Sequence, residues 1–141
     1  MAKARCEVEL AVRFGNEPGD LGRVLALLAQ HSIHVLAYCA YCDRQEAVVL
    51  LVTDNPFQAK EVLTTSGYNC RANSVLLVGT TDHVGSAAAV GTRLGFAGVN
   101  ILYSYSSSAG ADQFYAVFKT NDDSRALTIL DESNHSVAHA A

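Results

Sequence analysis

Cys39 and Cys42 are the pair whose types and spacing most resemble a chemical motif. Cys-x-x-Cys holds zinc or cycles through a disulfide when both sulfurs point the same way. Here the pair closes an alternating apolar segment, Ile33 to Cys42. Residues three apart on a strand face opposite sides, so the sulfurs diverge. With Cys6 and Cys70 they are expected to be free, buried, structural thiols. His135 and His139 have i, i+4 spacing but no third ligand nearby, and His31 and His34 read as surface and sheet residues. Ser104, Ser106, Ser107 and Ser108 read as a flexible hairpin end, without a Gly-x-Ser-x-Gly context or a paired base. No nucleophile–base–acid set emerges, so neither an enzyme nor a metal or cofactor site is expected.

Two glycine turns offer a different chemistry, that of binding. Gly15-Asn16-Glu17-Pro18-Gly19-Asp20-Leu21 and Thr81-Asp82-His83-Val84-Gly85-Ser86 each follow a strand-like segment and precede a helix-like one. A helix start presents unpaired N–H groups and partial positive charge, which suit a carboxylate. Gly19 and Gly85 permit close approach to the backbone, and an oxygen of Asn16 or Asp82 could accept from an ammonium group. Glu17 and Asp20 make the first turn acidic, while His83 and Ser86 make the second friendlier to an anion. Taken singly, Pro-Gly before a helix is ordinary turn chemistry.

The elements that must position these turns repeat. Sliding the chain by 66 residues sets Leu10 on Leu76, Val12 on Val78, Gly19 on Gly85, Val24 on Val90, Leu28 on Leu94 and Leu36 on Leu102 without a gap. Leu51 falls on Val117, Val52 on Phe118 and Asn55 on Asn121. In the first half, Glu7 to Arg13 alternates as a strand, and Leu21, Val24, Leu25 and Leu28 mark one helix face. Ile33 to Cys42 and Glu46 to Thr53 read as strands. Asp54-Asn55-Pro56 caps a helix running to about Thr65, Gly67 stops it, and Tyr68 to Ala72 is a short last strand. In the second half, strands are expected at Val75 to Thr80, Val99 to Ser106 and Gln113 to Lys119. A helix carrying Val90 and Leu94 and another from Asn121 to Asp131 complete the pattern, with a weak or frayed last strand at Ser133 to Ala138. The order is βαββαβ twice, an α+β fold of tandem ferredoxin-like units with helices on one face of each antiparallel sheet. The expected division is residues 1–72 and 73–141, with Asn73 as the hinge.

Composition narrows the partners. The chain has 141 residues, 50% of them hydrophobic and 17% charged, and a net charge of −4 with its ten Lys and Arg scattered. Neither nucleic acid nor an anionic membrane is expected to bind such a surface. Met1-Ala2-Lys3-Ala4-Arg5 reaches Glu7 and Glu9 too soon for a signal peptide, so the cytoplasm is the expected compartment. Ala47 to Val52 is apolar on both faces, and Phe114 to Phe118 nearly so. Val48, Leu50, Val52, Phe114 and Phe118 should therefore be covered on the helix-free face by the other unit or a second chain, and a homodimer is expected.

A strand, then Asn16-x-Pro18-Gly19-x-Leu21, then an amphipathic helix resembles the ACT domain. The second half keeps Asp82 and Gly85 but has Val84 for Pro and Ala87 for Leu, and carries Gly98-Val99-Asn100-Ile101 at the following strand entry. The resemblance covers about residues 6 to 131 and is closest to stand-alone tandem ACT proteins. It implies a non-catalytic regulatory protein that binds a small effector, most often a free amino acid, at ACT-domain interfaces. The implied ligand-binding residues are Asn16, Glu17, Pro18, Gly19, Asp20 and Leu21 in one half, and Asp82, His83, Val84, Gly85 and Ser86 with Asn100 in the other. The alternative is a ligand-free interaction module that pairs with an enzyme or regulator.

Overall fold

A computed structural model describes residues 3–81, 85–108 and 113–140; at Thr81, Ser108, Gln113, Phe114 and residues 132–140 it describes the backbone alone. The elements are β1 (Lys3–Gly15), α1 (Asp20–Gln30), β2 (Val35–Asp43), β3 (Glu46–Thr53), α2 (Pro56–Thr65), β4 (Asn69–Thr81), α3 (Ser86–Phe96), β5 (Ile101–Ser108), β6 (Gln113–Thr120) and α4 (Asp123–Ala140). The chain divides into two compact units, Val8–Asn73 and Met1–Glu7 with Ser74–Ala141. No helix of the described residues is long and apolar enough to cross a membrane.

In the Val8–Asn73 unit the strands run in the order β2-β3-β1-β4. β3 pairs antiparallel with both β1 and β2, setting Leu51 opposite Leu10 and Tyr38. The core lies between the sheet and the helices, built from Leu10, Val12, Val24, Leu28, Ile33, Val49, Leu51, Ala59 and Leu63. Val24 and Leu28 are one helical turn apart, so a single stripe of α1 fills it. Asn55 caps α2, its side-chain oxygen accepting from the Gln58 N–H at 3.2 Å, with Pro56 in the first turn where no N–H is needed. Tyr68 and Cys70 pack against the same core, and burial pushes the Cys70 thiol up.

The other unit repeats this order as β1-β4-β6-β5 around Leu76, Val78, Val90, Leu94, Val99, Ala116, Phe118, Ala126 and Leu130. Its fourth strand is not the one expected. Residues 133–138 continue α4 as helix, and the place beside β4 is filled by the N-terminal part of β1, from which Ala4 packs on this core. The polar stretch Ser133-Asn134-His135-Ser136 has no apolar alternation to fill a strand, and no Gly or Pro stops the helix before it. The two units divide after Asn73, inside β4, which runs from Asn69 to Thr81. The Asn73 amide donates to Glu9 Oε1 at 3.4 Å.

The repeat holds at 66 residues only as far as β5. Leu10 pairs with Leu51, but Leu76 pairs with Phe118, a spacing of 67. The buried threonines Thr53 and Thr120 and the α2 and α4 cap residues Asn55 and Asp122 share the spacing of 67. One residue is thus inserted between β5 and β6, and Leu51 corresponds to Phe118 rather than to Val117. The consequence is that Phe118 faces the helices with Leu76, and does not belong to the helix-free face. Val48, Leu50 and Val52 are buried within the single chain, and the Phe114 side chain is outside the described residues. The thiols depart from expectation as well. Cys6 and Cys42 are exposed and Cys39 and Cys70 half-buried; for Cys39 and Cys42 the reason is that β2 is an edge strand, with Cys42 next to its last residue, Asp43.

Candidate functional site

The first glycine turn lies against a pocket. β1 ends at Gly15, and the chain must reverse into α1 within four residues. Gly19 does this in the left-handed conformation, φ 89°, which a side chain would strain. A Cβ there would also meet Arg23 Nη1 at 3.3 Å. The turn is closed by three backbone bonds: Glu17 N–H to Gly15 O at 2.9 Å, Asp20 N–H to Glu17 O at 3.2 Å and Arg23 N–H to Gly19 O at 3.0 Å. No side chain caps α1, and the Leu21 and Gly22 N–H groups have no partner among the described residues. Asp20 is the first residue of α1. Its carboxylate accepts from the Glu17 N–H at 3.2 Å and pairs with Arg23, whose pKa the Asp20 hydrogen bond and charge raise. The acidity read at Asp20 is therefore partly offset by its own neighbour.

Beside this helix start is an open cavity of about 300 Å³, lined by Phe14, Asn16, Glu17, Gly19, Leu21, Gly22, Ala40, Tyr41, Cys42, Ala47 and Val48. Four of the six residues expected at this turn line it: Asn16, Glu17, Gly19 and Leu21. Pro18 and Asp20 shape the turn without lining the cavity. The opposite wall comes from the β2–β3 hairpin, where Ala47 stands opposite both Cys42 and Phe14. Asn16 Nδ2 donates to Cys42 Sγ at 3.4 Å, and the thiol donates on to Arg44 O at 3.4 Å. That orients the amide and leaves Asn16 Oδ1 as an acceptor. Phe14 is held edge-on by Tyr68, with ring centroids 6.2 Å apart and planes at 82°. The hairpin wall has no signal within any one segment; it follows only from pairing the alternation of β3 with β1, which brings Ala47 to Phe14.

At the second turn, Asp82, His83 and Val84 lie outside the described residues. Gly85 repeats Gly19 closely, with φ 93° at the cap of α3 and nothing within 4 Å of its missing Cβ. Ser86 is buried at the start of that helix. Asn100 lies beyond the opposite end of α3 from Gly85. There its N–H donates to Asn121 Oδ1 at 3.0 Å and its carbonyl accepts from the Asn121 N–H at 3.0 Å. His34 and Asp54 make the same pair in the first unit, both bonds 3.0 Å. This exchange ties each strand entry to the loop before the following helix.

The ACT domain pair family matches residues 7–139. Among solved structures, protein BT0572 from Bacteroides thetaiotaomicron is similar at TM-score 0.85 and 21% identity, over 93% of this chain and 90% of that one. The ligand-free regulatory subunit of aspartate kinase from Thermus thermophilus is similar at TM-score 0.66 and 14% identity, over 93% and 95%. A C-terminal regulatory domain of aspartate kinase from Porphyromonas gingivalis W83, so described, gives TM-score 0.60 and 12% identity, over 94% of each. At these identities the likeness is one of fold. No curated protein matches the sequence. With the family match running through both units, the chain belongs to the ACT domain pair family.

Proposed function

We propose that this chain is a non-catalytic regulatory protein that binds a free amino acid in the pocket beside Asn16–Leu21. One observation carries the reading: the cavity coincides with the helix start whose Leu21 and Gly22 N–H groups have no partner among the described residues. These two groups would hold the ligand carboxylate, favoured by the helix dipole. The ammonium group would sit against Asn16 Oδ1 and the Glu17 carboxylate. The Gly85–Ser86 helix start, with Asp82, His83 and Val84, is proposed as the corresponding site of the other unit. Regulation would then pass to a separate enzyme or regulator, with the chain acting as a homodimer in the cytoplasm.

A melting-temperature screen of the twenty amino acids tests the reading. A ligand at a hundred times its dissociation constant stabilises by about 2.7 kcal/mol. Gly19→Val is strained at φ 89° and should melt lower without ligand; once shown by circular dichroism to be folded, it should lose that shift. No shift with any amino acid would refute the proposal and leave the ligand-free interaction module.

A further inference from the structure

We infer that the ligand of this pocket carries a neutral, apolar side chain, and that acidic amino acids are excluded. The inference rests on the pocket being an amino-acid site and adds what the side chain must be. Phe14, Leu21, Ala40, Tyr41, Ala47 and Val48 form most of the lining. Asn16, Glu17 and the Leu21 and Gly22 N–H groups supply polar atoms at the turn, while on the hairpin wall the Tyr41 ring carries a hydroxyl and the Cys42 thiol is already held by Asn16 and Arg44 O. The carboxylate and ammonium common to every amino acid engage the four at the turn. What remains for the side chain is mostly hydrocarbon and the rings of Phe14 and Tyr41, which favour apolar contact. Among the described residues no Lys, Arg or His lines the cavity, and Arg23 beside Gly19 is already paired with Asp20, so a second carboxylate would enter without a free counter-charge and beside Glu17. A cationic side chain would have only Glu17, already facing the ligand ammonium.

The space is built to receive a side chain rather than to close over it. Ala40 and Ala47 contribute only a methyl group each to the wall, and the Phe14 ring is kept as a wall by its edge-on contact with Tyr68. At about 300 Å³ the cavity is at the small end of ligand pockets and has room for one amino acid.

Calorimetric titration of the intact chain with leucine, methionine and phenylalanine, against aspartate, glutamate and lysine, tests this. At least one apolar amino acid should bind, and each charged one should bind about tenfold or more weakly. Ala40→Lys puts a cation in the lining. Ala40 is exposed on an edge strand, so the variant should melt as the wild type does without ligand. It should lose about tenfold in affinity for the apolar ligand and gain in affinity for glutamate. A charged amino acid binding the wild type as tightly as any apolar one would overturn the side-chain inference and leave the amino-acid site standing. Unchanged affinities in Ala40→Lys would overturn the placement of the side chain. Binding of none of the twenty amino acids would overturn both readings, and the wild-type series decides the class without any variant.

Discussion

The Asn16 amide donates to the Cys42 sulfur at 3.4 Å, joining the end of β1 to the end of β2 across the mouth of the pocket. Both residues are exposed, so the bond contributes little to stability. Its consequence is orientation of the amide oxygen. Asn16→Leu should therefore change unfolding free energy by less than about 0.5 kcal/mol while removing the ligand-induced rise in melting temperature. Equal ligand shifts in variant and wild type would show that Asn16 takes no part in binding.

Ser32 and Gly98 occupy the same position after α1 and α3, with φ 56° and 74°. Both close their helices by the same pair of bonds: Ile33 N–H to Leu28 O at 3.0 Å, and Val99 N–H to Leu94 O at 2.9 Å. Only Ser32 carries a side chain in that left-handed region. Ser32→Gly should stabilise by about 1 kcal/mol, read as a higher denaturant midpoint with an unchanged slope.

The N-terminal part of β1 completes the sheet of the Ser74–Ala141 unit, with Ala4 against its core. Ala4→Asp would place a carboxylate on apolar neighbours and should cost about 1–3 kcal/mol. Hydrogen exchange should show the loss first in β4 and β6, and uniform exchange elsewhere with these strands protected would contradict the assignment.

Asp123 sits at the start of α4. Burial pushes its carboxyl up, but the Thr120 hydroxyl at 2.6 Å, the Thr120 N–H at 3.2 Å, Ser74 and Lys119 outweigh that and lower its pKa. A carboxyl held below its unfolded value stabilises the fold above that value, and the contribution is lost as pH falls through the folded pKa. Stability should therefore drop below about pH 4, and Asp123→Asn should flatten that part of the curve. An unaltered acid limb in the variant would assign the loss to other carboxylates.

Much of the fold was legible because periodicity is local. Val24 and Leu28 announce the buried stripe of α1, and Asn55-Pro56 announces the start of α2. What was hidden is non-local. Nothing near residues 133–138 says that Lys3–Glu7 fills the fourth-strand position, because strand pairing leaves no mark in the neighbouring sequence. The extra residue between β5 and β6 was masked because alternating apolar strands tolerate a slip of one when both faces are apolar, and so Phe118 was placed on the wrong face. At the site, Asn16, Glu17, Gly19 and Leu21 were readable from turn chemistry. Ala40, Tyr41, Cys42 and Ala47 were not, since small or ordinary strand residues become a wall only through register.

The central claim is that the α1 helix start holds a ligand carboxylate. Amide chemical-shift mapping of the isotopically labelled chain with a saturating amino acid tests it most directly. The account predicts that the largest ¹H–¹⁵N shifts fall on Leu21 and Gly22, with smaller ones at Asn16, Glu17 and the Tyr41–Cys42 wall. A bound amino acid that leaves the Leu21 and Gly22 amides unmoved would contradict it.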